Sequence, residues 1–173
     1  MNNENLKFPI GKFNPPENIT EQDLNDAITI LEVFPEKLQM LTYNLTDEQL
    51  DTPYREGSWT IRQLVHHISD SHHHSYNRFR WALTEDNPLI KVYDQDAFAA
   101  LEDYKTWPIA WSFSHVEAVH HKLVNLLRTF TEEQWNRTLR HPEMDKEMNL
   151  KQLALMYAWH SMHHYSHIKN GLS

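Results

Sequence analysis

Apolar positions recur at helical spacing over four long stretches of the chain, each bounded by residues typical of helix ends. The first stretch follows Thr20, which precedes early acidic residues as a helix cap does, and continues to about Tyr43. Its apolar stripe is made of Ile28, Ile30, Leu31, Phe34, Leu38 and Leu41. Pro35 lies inside the stripe and is expected to kink or split this helix, because proline removes a backbone donor.

Three further stretches complete the helical pattern. A helix is predicted to open at Ser58 and reach about Leu83, and another spans about 109–130. Asn149 caps the last predicted helix, which continues from Leu150 to about Lys169 and is stopped by Asn170-Gly171. Short capped turns precede the second and fourth stretches. The sequence therefore predicts an all-α four-helix bundle with long crossover connections.

The remaining segments connect or flank these helices. Residues 1–19 contain three prolines and no helical period, so we expect an extended N-terminal arm packed on the body. The body, residues 20–173, is predicted to be a single metal-binding domain. Residues 85–108 form a connection with a short helix near 97–101.

Glycine is scarce in this chain, with 3 residues against 6 Trp, 7 Tyr and 7 Phe. Few glycines mean few tight turns, which favours helices over a many-stranded sheet. The polar, irregular stretch 138–148 is the place where we expect β structure, as a small hairpin around Pro142 to Lys146.

The composition excludes several classes of function. A formal net charge of −8, with no Lys/Arg run, argues against nucleic acid as a partner. Cysteine is absent, which excludes disulfides, thiolate ligands and a cysteine nucleophile. No apolar run approaches the roughly 18 residues that span a bilayer, and the N-terminus lacks a signal-peptide pattern. We therefore expect a cytoplasmic protein that does not bind membranes.

A short sequence similarity relates the two halves of the chain, as a duplication would. Thr46-Asp-Glu-Gln and Thr131-Glu-Glu-Gln each lead into a helix rich in histidine. A duplicated helix pair would place these two helices opposite one another, facing across the bundle.

The 13 histidines are the unusual feature of the composition, and three of them share one face of the last helix. His160, His164 and His167 are spaced by four and three residues and lie on the same face as Tyr157. The alternative is a set of core histidines satisfied by hydrogen bonds. A buried polar group without a partner costs about 1–3 kcal/mol, so a divalent metal chelated by this face is the preferred interpretation.

A further ligand is expected from the second long helix. His66 and His73 lie furthest from its apolar face and are expected in solvent. His67, His72 and His74 remain open as candidates. Four other histidines have no comparable arrangement and are interpreted as surface or packing residues: His115, His120, His121 and His141.

Two motifs resemble a known family. The segments Asp51-Thr-Pro-Tyr-Arg-Glu-Gly-Ser-Trp-Thr-Ile-Arg-Gln-Leu-Val-His-His and Tyr157-Ala-Trp-His-Ser-Met-His-His-Tyr-Ser-His resemble the YfiT group of the DinB-like superfamily. The likeness extends essentially end to end and includes Phe8-Pro9-Ile10-Gly11. Members of this group are described as four-helix bundles that act as metal-dependent hydrolases.

The resemblance implies a ligand set and an assembly. It places one divalent ion per chain, zinc or nickel, on His67, His160 and His164, with His167 as a neighbouring or additional ligand. It also implies a homodimer and a small-molecule substrate.

Three imidazoles leave open coordination positions, which is the pattern of a catalytic metal rather than a structural one. Such an ion lowers the pKa of water from 15.7 to about 7, so hydrolysis with the metal-activated water as nucleophile is our first hypothesis. Relatives in the superfamily resemble S-transferases for low-molecular-weight thiols such as bacillithiol, and this is the second. Here a cosubstrate would have to supply the sulfur. A non-catalytic metal-binding scaffold is the third.

The remaining site predictions concern the loop before the second long helix. Tyr54, Arg55 and Trp59 are expected to rim the pocket, although Trp59 fits a core position as well. Arg55 is a candidate for holding a carboxylate or phosphate group of the substrate. An arginine that only ties down the loop is the alternative.

Overall fold

The computed structural model describes residues 3–142 and 147–173, and four long helices form its body. The long helices are α2 (Glu21–Thr42), α4 (Ile61–Thr84), α7 (Ile109–Leu127) and α9 (Leu150–Gly171). The short elements are α1 (Asn3–Lys7), α3 (Asp47–Leu50), α5 (Gln95–Ala99), α6 (Glu102–Thr106), α8 (Glu132–Trp135), β1 (Thr138–Leu139) and β2 (Met148–Asn149).

The long helices pack as a bundle in which α2 lies diagonally opposite α4, and α7 lies diagonally opposite α9. Helix α2 packs against α7 and α9, and α4 packs against the same two helices. The order around the bundle is therefore α2, α7, α4, α9, which requires the long crossovers that the sequence predicts. The all-α four-helix bundle is confirmed, and it brings the histidine-rich helices α4 and α9 into contact.

The start of α4 differs from the prediction. Ser58 does not cap this helix, because its Oγ donates to the carbonyl of Arg55 at 2.8 Å and closes a turn. Thr60 is the N-cap, and its hydroxyl accepts the N–H of Gln63 at 3.2 Å. The same capping box occurs at Asn149, where the prediction for α9 is correct.

Helix α2 continues without a break through Pro35, so of the two predicted outcomes, a kink or a split, the split does not occur. The missing N–H of Pro35 instead leaves the carbonyl of Leu31 without its helical donor. Packing explains the continuity, because Leu31, Phe34 and Leu38 on either side of the proline are fully buried.

The N-terminal segment contains one short helix, and its residues 8–19 form neither helix nor strand. Residues 3–7 form α1, where the sequence predicts no helix, and the N–H of Phe8 bonds the carbonyl of Glu4 at 2.9 Å. The segment lies along α9, where the Phe8 ring is 6.0 Å from that of His163. The Phe13 ring is 5.9 Å from that of Trp159.

The β structure is a two-stranded antiparallel pair that joins Thr138 to Asn149 and Leu139 to Met148. This confirms a small sheet in the predicted stretch, although residues 143–146 of the expected hairpin lie outside the described part of the chain. The connection before α7 holds two short helices instead of one. Asp94 caps α5 by accepting the N–H of Ala97 at 2.9 Å. The two helices are separate because α5 ends at Ala99, and the backbone is extended at Leu101, the N-cap of α6.

The bundle core consists of two apolar clusters in contact with a layer of buried histidines. Phe34 of one cluster stacks on His72 at 5.7 Å and on His120 at 5.5 Å. Tyr157 of the other cluster meets His72 edge-on at 5.3 Å. In the described ranges, no helix is both long and apolar enough to cross a bilayer.

Candidate metal centre

Three histidines from α4 and α9 converge at the side of the bundle. His67, His160 and His164 each offer a ring nitrogen, and these atoms lie within 4.8 Å of one another. The Nε2 atoms of His160 and His164 are 3.1 Å apart. The His67 ring lies 5.4 Å from that of His160 and 5.0 Å from that of His164, measured between centroids. The structure therefore brings together the three residues that the sequence predicts as ligands.

The donor set fits a divalent metal. Two metal–nitrogen bonds of about 2.0–2.1 Å can easily span 3.1 Å. Burial lowers the pKa of His67 to about 4. Burial, and then the neighbouring imidazoles, hold the pKa values of His160 and His164 well below the usual range. All three rings are thus neutral near pH 7, which is the form that binds a metal ion.

The orientation of His67 is fixed by two aromatic neighbours. The hydroxyl of Tyr93 lies 3.3 Å from Nδ1 of His67, which leaves Nε2 available for a ligand. The Trp59 ring packs on His67 at 4.8 Å, and its Nε1 donates to Asp96 at 3.1 Å. Trp59 therefore contacts the candidate ligand directly.

The orientation of His164 depends on His167. Nε2 of His167 lies 3.1 Å from the carbonyl oxygen of Lys7, which can only accept, so this nitrogen carries the proton. Nδ1 of neutral His167 then accepts from Nδ1–H of His164 at 3.3 Å. Nε2 of His164 is consequently unprotonated and faces His160. This assignment of protons follows from the hydrogen-bond network.

A second group, His163, His164 and His167, also lies within 4.8 Å and shares one member with the first. In that group the hydrogen bonds just described use both nitrogens of His167. Nδ1 of His163 is buried without a partner among the described residues, and its ring stacks on Trp159 at 4.4 Å. We therefore assign His167 to the support of His164 rather than to a metal.

A cavity of about 530 Å³ adjoins two of the three histidines, His67 and His160. Its lining includes His67 and His160 together with Ser71, Arg78, Val92, Tyr93, Asp94, Gln95, Asp96, His141 and Tyr157. Arg78 is only 7 % exposed, and its Nη1 donates to the hydroxyl of Tyr157 at 3.0 Å. Among the described residues, its Nε has no hydrogen-bond partner and no carboxylate forms an ion pair with the guanidinium.

None of the three residues predicted for the pocket rim lines this cavity, although Trp59 contacts its neighbour His67. Tyr54 stacks on His167 at 4.3 Å, and the guanidinium of Arg55 lies over the Tyr54 ring at 5.6 Å, so neither lines this cavity. The reason is that their loop packs on the end of α9. A Cβ at Gly171 would be 2.8 Å from Cα of Tyr54, so the close approach requires glycine.

The other α4 candidates have different roles. Nε2 of His72 is 3.1 Å from Nδ1 of His160, on the side of that ring away from His164. His74 stacks on Tyr93 at 4.5 Å. His66, expected in solvent, is buried, and its Nδ1 lies 2.7 Å from the hydroxyl of Ser112.

Sequence reasoning missed two further parts of the site. His120, interpreted from sequence as a surface or packing residue, is 1 % exposed and bonds His72 at 2.8 Å. Arg78 and Tyr93 carried no local pattern that would single them out, and Tyr157 was placed on the histidine face of the last helix without a role. Pro35 did carry a signal for a buried donor, because a proline within a helix frees the carbonyl four residues earlier. His120 donates to that carbonyl, which belongs to Leu31.

Comparison with known proteins places these features in a family. A model of the DinB superfamily matches residues 30–168. The Bacillus subtilis protein named "Putative metal-dependent hydrolase YfiT" is 42% identical over 168 residues, covering 97% of this chain and 94% of that protein. A Bacillus pumilus protein named "Putative metal-dependent hydrolase" is 45% identical, covering 94% of this chain and 93% of that protein.

A solved structure agrees with these matches. The structure of YfiT from Bacillus subtilis, whose title describes a probable metal-dependent hydrolase with an unusual four-helix bundle topology, superposes with a TM-score of 0.94. It is 42% identical in sequence, and the match covers 96% of this chain and 95% of that one.

Proposed function

The chain belongs to the DinB superfamily, and from this premise we propose that it is a hydrolase of a small molecule that works with a divalent metal held by His67, His160 and His164. One observation carries the proposal: the Nε2 atoms of His160 and His164 meet at 3.1 Å beside a cavity of about 530 Å³. The names of the relatives support the same reaction class.

The first contribution of the protein to the proposed reaction is the set of three histidine ligands. Zinc and nickel both suit imidazole ligands. When bound, such an ion would supply the Lewis acidity that activates water and polarises a substrate oxygen. The three neutral imidazoles of His67, His160 and His164 would hold it and would leave room for other ligands. Trp59 and Tyr93 keep the His67 ring in place.

The cavity supplies hydrogen-bond donors for negative charge that develops during hydrolysis. Burial raises the pKa of Tyr93, so its hydroxyl stays protonated. The Tyr157 hydroxyl accepts from Arg78, which leaves its own proton free to donate. Preorganised donors of this kind stabilise oxyanionic transition states.

Arg78 supports a substrate that carries a carboxylate or phosphate group. A buried guanidinium without a carboxylate is costly, and an anionic ligand in the cavity would complete its hydrogen bonds. Asp94 and Asp96 also line the cavity, but Asp94 caps α5 and Asp96 accepts from Trp59. Arg78 therefore takes the role that the sequence prediction gave to Arg55.

The test is an assay of the metal-loaded protein on carboxylate-bearing esters, amides and phosphoesters, with and without a low-molecular-weight thiol. We expect turnover without thiol, its loss on chelation and in a His160→Ala variant, and its retention in His73→Ala. His73 is the matched control because it is an exposed histidine of α4. Turnover that requires the thiol would assign an S-transferase, and metal binding without turnover would assign a scaffold; either result contradicts hydrolysis.

A further inference from the structure

A proline in α2 creates an acceptor in the bundle core. Because Pro35 has no N–H, the carbonyl of Leu31 lacks the donor that a helix normally supplies four residues later. Leu31 is fully buried, and an unpaired carbonyl there would be costly. Nδ1 of His120, on α7, lies 2.5 Å from this oxygen and donates to it.

This bond fixes the protons on two imidazoles in succession. A carbonyl only accepts, so Nδ1 of His120 carries its proton and Nε2 is an acceptor in the neutral ring. Burial lowers the pKa of His120 to about 4, which keeps it neutral near pH 7. Nε2 of His120 lies 2.8 Å from Nδ1 of His72, which must then be the donor.

The series ends at the candidate metal. His72 is fully buried, and its Nε2, unprotonated in the neutral ring, lies 3.1 Å from Nδ1 of His160. Nδ1 of His160 is therefore the donor, and its Nε2 is left with a free lone pair. Ser71 agrees with this assignment, since its hydroxyl lies 3.4 Å from the same Nε2 and can donate to it.

We propose that His120 and His72 form a positioning relay, anchored at the carbonyl that Pro35 frees, which holds His160 in the tautomer that presents an unprotonated Nε2 to the metal. The inference rests on the proposed metal site and is independent of hydrolysis. An imidazole without such a partner can carry its proton on either nitrogen, and a proton on Nε2 would have to leave before a metal binds. Partners of this kind orient ligand histidines and raise their basicity.

The relay is rigid because it is enclosed. Phe34 stacks on both His72 and His120, and Tyr157 closes His72 from the other side. Three long helices contribute to it, since Leu31, His120 and His72 lie on α2, α7 and α4. The ligand His160, on α9, is thereby coupled to the packing of the other three long helices.

The direct test is the tautomer of each histidine in the full-length protein, read from long-range ¹H–¹⁵N NMR correlations with the metal removed. We expect protons on Nδ1 of His72, His120 and His160. A proton on Nε2 of His160 in the parent protein overturns the relay, and this measurement needs no variant.

Variants of His120 add a readout of metal affinity by chelator competition. His120→Leu removes the acceptor for His72, so we expect His160 to move its proton to Nε2 and metal affinity to fall about tenfold or more. In His120→Gln the amide oxygen can still accept, and we expect tautomer and affinity to be largely retained. His121→Leu, at an exposed neighbouring histidine, is the control and should change neither.

Unchanged tautomers and affinity in His120→Leu would contradict the relay. A protein with the predicted tautomers and metal binding but no turnover would contradict the proposed hydrolysis and leave the relay in place. The two failures are therefore distinguishable.

Discussion

The Nε2 atoms of His160 and His164 lie 3.1 Å apart on successive turns of α9, and the hydrogen-bond network leaves neither of them a proton. His160 donates through Nδ1 to His72, and His164 donates through Nδ1 to His167. Two lone pairs that face each other repel, and a cation between them removes the repulsion. The two facing lone pairs of His160 and His164 therefore favour the binding of a cation.

The support of His164 by His167 predicts a loss of affinity without the loss of a ligand. In His167→Ala, Nδ1–H of His164 has no acceptor, and we expect metal affinity to fall about 10–100-fold at unchanged stoichiometry. Chelator competition with elemental analysis measures both quantities.

His163→Ala is the matched control for this experiment, because no hydrogen bond from His163 to the three ligands occurs among the described residues. We expect its metal affinity to be close to that of the parent. A second metal per chain in the parent, lost equally in His163→Ala and His167→Ala, would instead assign the neighbouring histidine group as a site.

The buried state of His120 predicts a pH dependence of stability. Its pKa is lowered from 6.5 to about 4 in the folded chain, so between these values the unfolded state binds more protons. The contribution of His120 to stability is therefore fully present above pH 6.5 and is lost as the pH falls towards 4, by about 3 kcal/mol.

Denaturant unfolding of metal-free protein at pH 7 and pH 4 measures this loss without a contribution from metal release. His120→Gln cannot titrate, so its free energy of unfolding should fall by less than that of the parent over the same interval. An equal fall in both proteins would show that His120 is not the group that titrates.

The guanidinium of Arg78 forms no ion pair with any carboxylate of the described residues, and it predicts an anion site in the cavity. We expect inorganic phosphate to bind the metal-loaded protein, and Arg78→Gln to weaken this binding about tenfold, since hydrogen bonds to charged groups are worth about 1.5–3 kcal/mol. Titration calorimetry measures the dissociation constant.

Arg55→Gln is the control, since Arg55 lies outside the cavity lining. Phosphate binding should survive this change. Equal weakening in both variants would indicate a general effect of charge, and no weakening in either would remove Arg78 from the anion site.

Much of the fold was predictable because it is local. Caps such as Thr20 and Asn149 and the apolar periods mark the long helices to within a few residues. The start of α4 was missed because Ser58 and Thr60 are both acceptable caps, and the choice depends on the turn that Ser58 closes. The continuity of α2 at Pro35 depends on tertiary packing, which the spacing of apolar residues does not predict.

The site divides in the same way. The spacing of His160 and His164 places them on one face of one helix, so sequence alone could propose the pair. The choice among His67, His72 and His74 depends on how α4 is rotated against α9, and only the family resemblance favoured His67. The relay through His120 joins residues from three helices. Arg78 lines the cavity only because α4, α9 and the segment after α4 come together there. Both arise from tertiary structure.

The central claim is that His67, His160 and His164 hold one divalent metal per chain. The most direct measurement is elemental analysis of the protein purified without chelators, beside a variant in which all three are alanine and a control with His73 and His121 changed to alanine. We predict about one equivalent of metal in the parent and the control, and none in the triple variant. Equal metal in the parent and the triple variant, or none in the parent after incubation with zinc and nickel, would contradict the account.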